Sequence, residues 1–234
     1  MKQGVLYISY DGVLEPLGQS QVVAYLERLA LGRRIHLISF EKANDWRDRA
    51  RRLAMQRRLA AAGIEWHPLR YHKNPSAPAT AYDIAAGAAL GIVLAARHRL
   101  GLVHTRSYVA AAMALPVKRA TGAKFLFDMR GLWADERVDG GLWPKGGRLY
   151  RITKALERRF LEAADHVVTL THASEREIRS FPYLERRAPP ISVIPTCADL
   201  DQFRIQRPSQ REPFVLGYVG TVGTWYLLDE MLQF

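Results

Sequence analysis

Short apolar runs separated by longer amphipathic stretches recur along the chain. VLYISY (5–10), IHLISF (35–40), IEWHPL (64–69), LVHTRS (102–107), KFLFDM (124–129), HVVTLT (166–171) and ISVIPT (191–196) are rich in β-branched and aromatic residues and predict seven strands. They are near-continuous rather than strictly alternating, the pattern of a parallel sheet covered on both faces. Helices are expected between them at about 20–31, 43–62, 79–99, 108–121, 146–164 and 173–180. Strand alternating with helix makes the expected fold an α/β, doubly wound, Rossmann-like parallel sheet, with ligands at the carboxyl ends of the strands.

Several boundaries have physical causes. Ser20 is placed to cap the first helix by accepting from a first-turn amide, and Gly63 to end the second. YHKNPSAP (71–78), with two prolines, reads as a loop. Ile152, Leu156 and Phe160 repeat every four residues, a core-facing stripe. IAAGAALGIVLAA (84–96) falls short of the ~20 residues that span a bilayer and is expected to be a buried helix. After ISVIPT the texture turns polar and proline-punctuated. The expected organisation is one domain over 1–200, a linker over 201–213, and the start of a second unit over 214–234, too short to bury a core of its own.

The apolar share of 48% and charged share of 24% are those of a globular protein. One cysteine, Cys197, excludes an internal disulfide framework, and no secretory signal precedes VLYISY; the cytoplasm is the expected location. The net charge of +11 changes the picture, because it favours an anionic partner. RDRARRLAMQRR, Arg47 to Arg58, carries six arginines against one aspartate. Either it is a solvated helix face or it binds an anionic membrane surface. No helix-turn-helix, zinc-finger or RNA-recognition signature accompanies the charge, so nucleic acid is not an expected partner.

DGVLEPLGQSQV follows the first strand. Gly12 and Gly18 are six residues apart with no third glycine, which excludes the dinucleotide-binding fingerprint. No G-x-S-x-G elbow accompanies Ser20. Cys197 follows a Pro-Thr turn and reads as structural. His104 lies inside an apolar strand, where a satisfied core histidine is expected. His36 and His72 are scattered, so no metal site is expected.

Taken in order, DGVLEPLGQSQV, FDMRGLWADE, LEAADHVVTLT, VIPTCADLDQF and GYVGTVGTWY resemble the segments of GT-B glycosyltransferases of the family-4-like group, which act in bacterial polysaccharide and cell-envelope synthesis. The resemblance covers nearly the whole chain: the N-terminal acceptor-side domain plus the start of the C-terminal nucleotide-sugar-binding domain. Gly131 stands where many relatives have Asp, Ala134 where they have Pro, and TCAD replaces NGVD.

The resemblance implies sugar transfer from a nucleotide sugar to a saccharide or lipid-linked acceptor, with retention of configuration and no metal cofactor. It implies that Gly18, with the Gln19 and Ser20 amides, faces the donor diphosphate, so that Gly18→Val would spare the fold and impair donor use. Arg130 and Asp128 are then the catalytic candidates, a structural Asp–Arg pair being the alternative. Arg106 and Trp133 are expected in the cleft, with Trp143 across the loop ADERVDGG. Gly220 and Thr221 are expected in the second domain's donor loop, whose acidic motif would lie beyond Phe234. A peripheral position on the inner face of the cytoplasmic membrane fits the basic stretch. A non-catalytic domain binding sugar nucleotides or phosphosugars, and a nucleic-acid-binding α/β protein, remain as alternatives.

Overall fold

All seven expected strands form. In the computed structural model, which describes residues 4–198, 200, 216–220 and 228–233, they are β1 (Gly4–Ser9), β2 (Arg34–Glu41), β3 (Ile64–Arg70), β4 (Leu102–Arg106), β5 (Lys124–Asp128), β6 (His166–Thr169) and β7 (Ile191–Val193). Every pairing is parallel, in the order β3-β2-β1-β4-β5-β6-β7. The chain builds outward from β1 to β3 and then returns to lay β4 beside β1. That reversal opens a crevice at the carboxyl ends of β1 and β4.

Side chains of one strand point alternately to the two faces, and each face carries its own core. Leu6, Ile8, Ile38, Phe40, Val103, Phe125 and Phe127 meet α5 (Ser76–His98), α6 (Ser107–Thr121) and α8 (Arg148–Ala163). Tyr7, Ile35 and Leu37 meet α2 (Ala24–Leu29) and α4 (Arg49–Ala61) through Leu26, Met55 and Leu59. By length and composition α5 is apolar enough to cross a membrane. Here it packs as a core helix: Gly87 and Gly91 bring it so close to α6 that added methyls would meet the Met113 sulfur at 2.5 Å and Val117 at 2.9 Å.

Most differences from expectation lie at the helix starts; in α8, Leu156 and Phe160 of the expected stripe face the core while Ile152 is exposed. The first helix begins at Pro16, which needs no amide partner at that position. It runs through α1 (Pro16–Gly18) and a π-helical turn (Gln19–Val23) into α2. Ser20 is therefore inside the helix and not its cap; its hydroxyl donates to the Leu17 carbonyl at 3.2 Å. The expected helix at 43–62 is two, α3 (Ala43–Arg47) and α4, because Asp48 leaves helical geometry and its carboxylate accepts from the Arg51 amide at 2.9 Å. ADERVDGG is not a loop: α7 (Trp133–Asp139) forms there, with Asp135 and Glu136 favourably placed in its first turn. α9 (His172–Arg179) and α10 (Leu228–Gln233) complete the α-helices among the described residues. The expected linker at 201–213 lies outside the described residues, as does much of 214–234.

Asp165 ties α6 and β5 together. It accepts from Lys118 Nζ at 2.5 Å, Lys124 Nζ at 3.0 Å and the Phe125 amide at 2.8 Å. Burial alone would raise this carboxyl, but the Lys118, Phe125 and Lys124 hydrogen bonds outweigh it and hold the pKa at about 2, below the ordinary 3.8. A depressed acid stabilises the fold above its unfolded pKa and loses that contribution as pH falls through the folded one. Acid unfolding of Asp165→Asn should accordingly be flatter between pH 4 and 2 than that of the parent, as followed by circular dichroism. Parallel acid limbs would show that these bonds contribute nothing.

Candidate functional site

The register sets the site. Ser9 pairs with Arg106 and Arg106 with Asp128, so three polar side chains lie level at the ends of adjacent strands. One step into the sheet, Tyr7 pairs with His104 on the same face. Above them is a cavity of about 380 Å³, walled by Gln21, Tyr25 and Arg28 of the first helix and by residues 194–198 after β7. Its place is the crevice that the strand order creates.

Two guanidinium groups share one acceptor. Arg106 Nη2 donates a short hydrogen bond to Gln21 Oε1, and Arg130 Nη2 approaches the same oxygen at 3.4 Å. Arg106 also reaches Asp11 at 3.4 Å, and Arg130 reaches the Thr196 hydroxyl at 3.4 Å. Arg130 has φ of +66°, a left-handed conformation that costs a non-glycine residue about 1–2 kcal/mol. The turn that aims this side chain into the cavity is thus held by its surroundings. Burial lowers the Arg130 pKa, and the charge of Arg106 lowers it further, while Asp128 opposes both.

Asp128 is buried, which raises its carboxyl pKa against the pull of Arg130 and Arg106. Its Oδ2 stands 3.9 Å from Arg130 Nη1, and its Oδ1 has no hydrogen-bond partner among the described residues. His104 is not a satisfied core histidine: it faces the cavity, with its ring 4.5 Å from that of Tyr7, and its buried Nε2 has no partner among the described residues. Burial, reinforced by the Arg106 charge, lowers its pKa to about 3, so the ring is neutral. Burial also pushes the hydroxyl of Tyr7 up, well beyond the ordinary tyrosine range.

The loop after β1 departs from expectation. Glu41, buried at the end of β2, accepts from the Val13 amide at 3.0 Å, the Leu14 amide at 3.1 Å and the Ser39 hydroxyl at 2.6 Å. An internal carboxylate occupies those loop amides. The Gln19 amide donates to Glu15 O at 2.9 Å and its side chain to Leu14 O at 3.1 Å. Gly18 is buried, and a Cβ there would lie 2.0 Å from Gly12 O and 2.8 Å from Val13 Cα. The glycine is required by backbone packed on backbone.

Of the expected site residues, Ser20, Arg106, Asp128 and Arg130 line the cavity; Gly18, Gln19, Trp133 and Gly220 do not, and Thr221 lies outside the described residues. Trp133 packs against Tyr108 at 5.8 Å and Trp143 at 5.2 Å, with the Arg137 guanidinium over its ring. Sequence reasoning missed Gln21, Tyr7, Tyr25 and Thr196. A signal existed for one face: Gln21, Tyr25 and Arg28 recur at helical spacing. Cys197 also lines the cavity, its thiol donating to Pro195 O at 3.3 Å.

A family profile described as glycosyl transferase 4-like domain matches residues 19–197. Among solved structures, sucrose-phosphate synthase from Thermosynechococcus elongatus aligns with 17% identity and a TM-score of 0.54, over 86% of this chain and 50% of that one. Arabidopsis thaliana UGT89C1 complexed with quercetin aligns with 13% identity and a TM-score of 0.54, over 89% and 53%. TcCGT1 in complex with UDP aligns with 14% identity and a TM-score of 0.56, over 91% and 54%. The chain thus spans about half the length of these structures, and the likeness establishes its fold as the Rossmann-like half of a GT-B architecture. No curated protein matches the sequence. With the profile covering most of the sheet and the cavity above it, the chain belongs to the glycosyl transferase 4-like domain family.

Proposed function

We propose that this domain forms the acceptor side of an enzyme that moves a sugar from a nucleotide-sugar donor to an acceptor. The observation that carries the reading is the Arg106–Arg130 pair, converging on one oxygen at the strand ends beside an incompletely bonded Asp128. Departure of a nucleoside diphosphate develops negative charge, and paired guanidinium groups in a partly buried cavity are suited to meet it. Asp128 is placed to accept from an acceptor hydroxyl and orient it. Transfer with retention needs no protein nucleophile, only this positioning and charge stabilisation. Solved structures of similar fold in complex with UDP and with quercetin support a nucleotide donor and an acceptor as partners. A saccharide or lipid-linked acceptor in bacterial polysaccharide or cell-envelope synthesis belongs to the same proposal, which requires no metal cofactor.

The test offers the complete enzyme UDP-, GDP-, ADP- and dTDP-sugars with saccharide and lipid-linked acceptors, reading product by mass spectrometry and its anomeric configuration by NMR. A retained linkage is expected. Nucleotide-sugar binding without transfer would favour a non-catalytic domain, and an inverted linkage would contradict the mechanism. The 234-residue chain alone should bind the donors at millimolar Kd or weaker, about −4 kcal/mol. Micromolar binding in calorimetry would move the nucleotide site into this domain.

We also infer that the enzyme works on the inner face of the cytoplasmic membrane. Three of the arginines in the basic stretch are engaged: Arg51 with Asp45 at 2.8 Å, Arg58 with Glu27 at 2.7 Å, and Arg52 over the Trp46 ring. Arg47, Arg49 and Arg57 are exposed and have no ion pair among the described residues. Reversing these three to Glu should abolish salt-sensitive binding to phosphatidylglycerol vesicles without disturbing the internal pairs. Equal binding of the parent to neutral vesicles would sink the idea.

A further inference from the structure

We propose that His36, Glu65 and His98 form a binding site for a zinc-like divalent cation at the amino-terminal end of the sheet, remote from the cavity. Three of the chain's seven histidines, His36, His67 and His98, meet there, although nothing in their sequence spacing suggests it. Parallel pairing of β2 with β3 sets His36 beside Glu65, and His67 two pairs further on, which returns it to the same face. α5 covers that face and ends at His98, where Arg99 takes a left-handed conformation.

One donor atom each from His36, Glu65 and His98 lies within 4.8 Å of the others. His36 Nδ1 is 3.5 Å from Glu65 Oε2 and 3.2 Å from His67 Nε2, and the His36 and His98 ring centroids are 4.3 Å apart. Tetrahedral zinc, with bonds of about 2.0–2.1 Å, sets its ligand atoms roughly 3.3 Å apart. The His36–Glu65 pair is already near that spacing, and His98 lies within reach of it. His36 is wholly buried and gives the site a fixed wall, while Glu65 is exposed and His98 half-buried, so both can adjust. His67 Nε2 meets the same His36 Nδ1 at 3.2 Å, and a cation held there would take the place of that contact.

Beside the cluster, the Arg34 guanidinium donates to the His98 carbonyl at 2.7 Å. Two imidazoles and a carboxylate suit zinc, whereas magnesium and calcium prefer oxygen alone. A bound cation would clasp the end of α5 to the β2–β3 edge, making the site structural rather than part of the transfer chemistry.

The test uses the full chain, without an affinity tag, stripped with chelator and titrated with zinc chloride by calorimetry and with cobalt(II) by visible absorption. One equivalent of zinc should bind, raise the thermal midpoint and displace cobalt from a low-coordinate d–d spectrum; magnesium should do none of this. Glu65→Gln and His98→Asn alter accessible side chains, keep the fold, and should each weaken zinc at least tenfold. His172→Asn, on the exposed face of α9, should leave binding unchanged. Absence of micromolar zinc binding, or affinity unmoved by both Glu65→Gln and His98→Asn, would overturn the proposal.

Discussion

Arg130→Ala in the complete enzyme is expected to lower kcat by about 10²–10³-fold, the usual cost of removing one preorganised donor to developing negative charge. The thermal midpoint should hardly change. Arg130 is partly exposed, its contacts with Gln21 and Thr196 are both long, and Asp128 is 3.9 Å away. Arg106 makes a less clean test, because it is almost wholly buried and anchors Gln21 and Asp11. Arg130→Lys should fall between, keeping the charge and losing the planar fork. A pH profile adds a second readout. Burial raises the Asp128 carboxyl and Arg130 pulls it down. Without Arg130 that carboxyl moves further up, and the acid limb of kcat/KM should shift to higher pH. Unchanged kcat with a lowered midpoint would make the pair structural.

Gly18→Val is expected to disrupt the fold rather than spare it. The new Cβ would lie 2.0 Å from Gly12 O and 2.8 Å from Val13 Cα, and neither backbone atom can rotate aside. Nor can the loop retreat, since Glu41 grips it by the Val13 and Leu14 amides. Overpacked core sites lose about 1–3 kcal/mol, and a backbone-on-backbone clash belongs at the upper end, about 3 kcal/mol. Urea unfolding of Gly18→Val and Gly18→Ala measures this directly, and both should shift, because the clash is with the Cβ itself. Full stability with an impaired donor KM would instead mean that the glycine is there to admit a diphosphate.

The strands were legible because burial on both faces demands long apolar runs, and such runs need no partner to be recognised. Arg106 and Arg130 were singled out through the family resemblance, and both do line the cavity at the strand ends. α7 was hidden by the glycines that follow it, which made ADERVDGG look like a loop. Ser20 looked like a cap only because Pro16, four residues earlier, was not recognised as the helix start. Glu41 carries no local mark of its role, since its partners Val13 and Leu14 are brought to it by the pairing of β1 with β2. The histidine cluster was illegible for the same reason. Register and the length of α5 assemble it, and neither is written in the spacing of His36, His67 and His98.

The π-helical turn at Gln19–Val23 is one residue wider than an ordinary turn, the Ala24 amide donating back to Gln19 O. Each residue advances a helix by about 100°. A one-residue deletion there would therefore swing Gln21 around the axis relative to Tyr25 and Arg28, breaking up the face that walls the cavity while leaving every strand in place. Chain length in this short segment acts as a dial on the shape of the cavity. Related enzymes that differ by a single residue at this point should differ in what they accept, even where their strand-end arginines are the same.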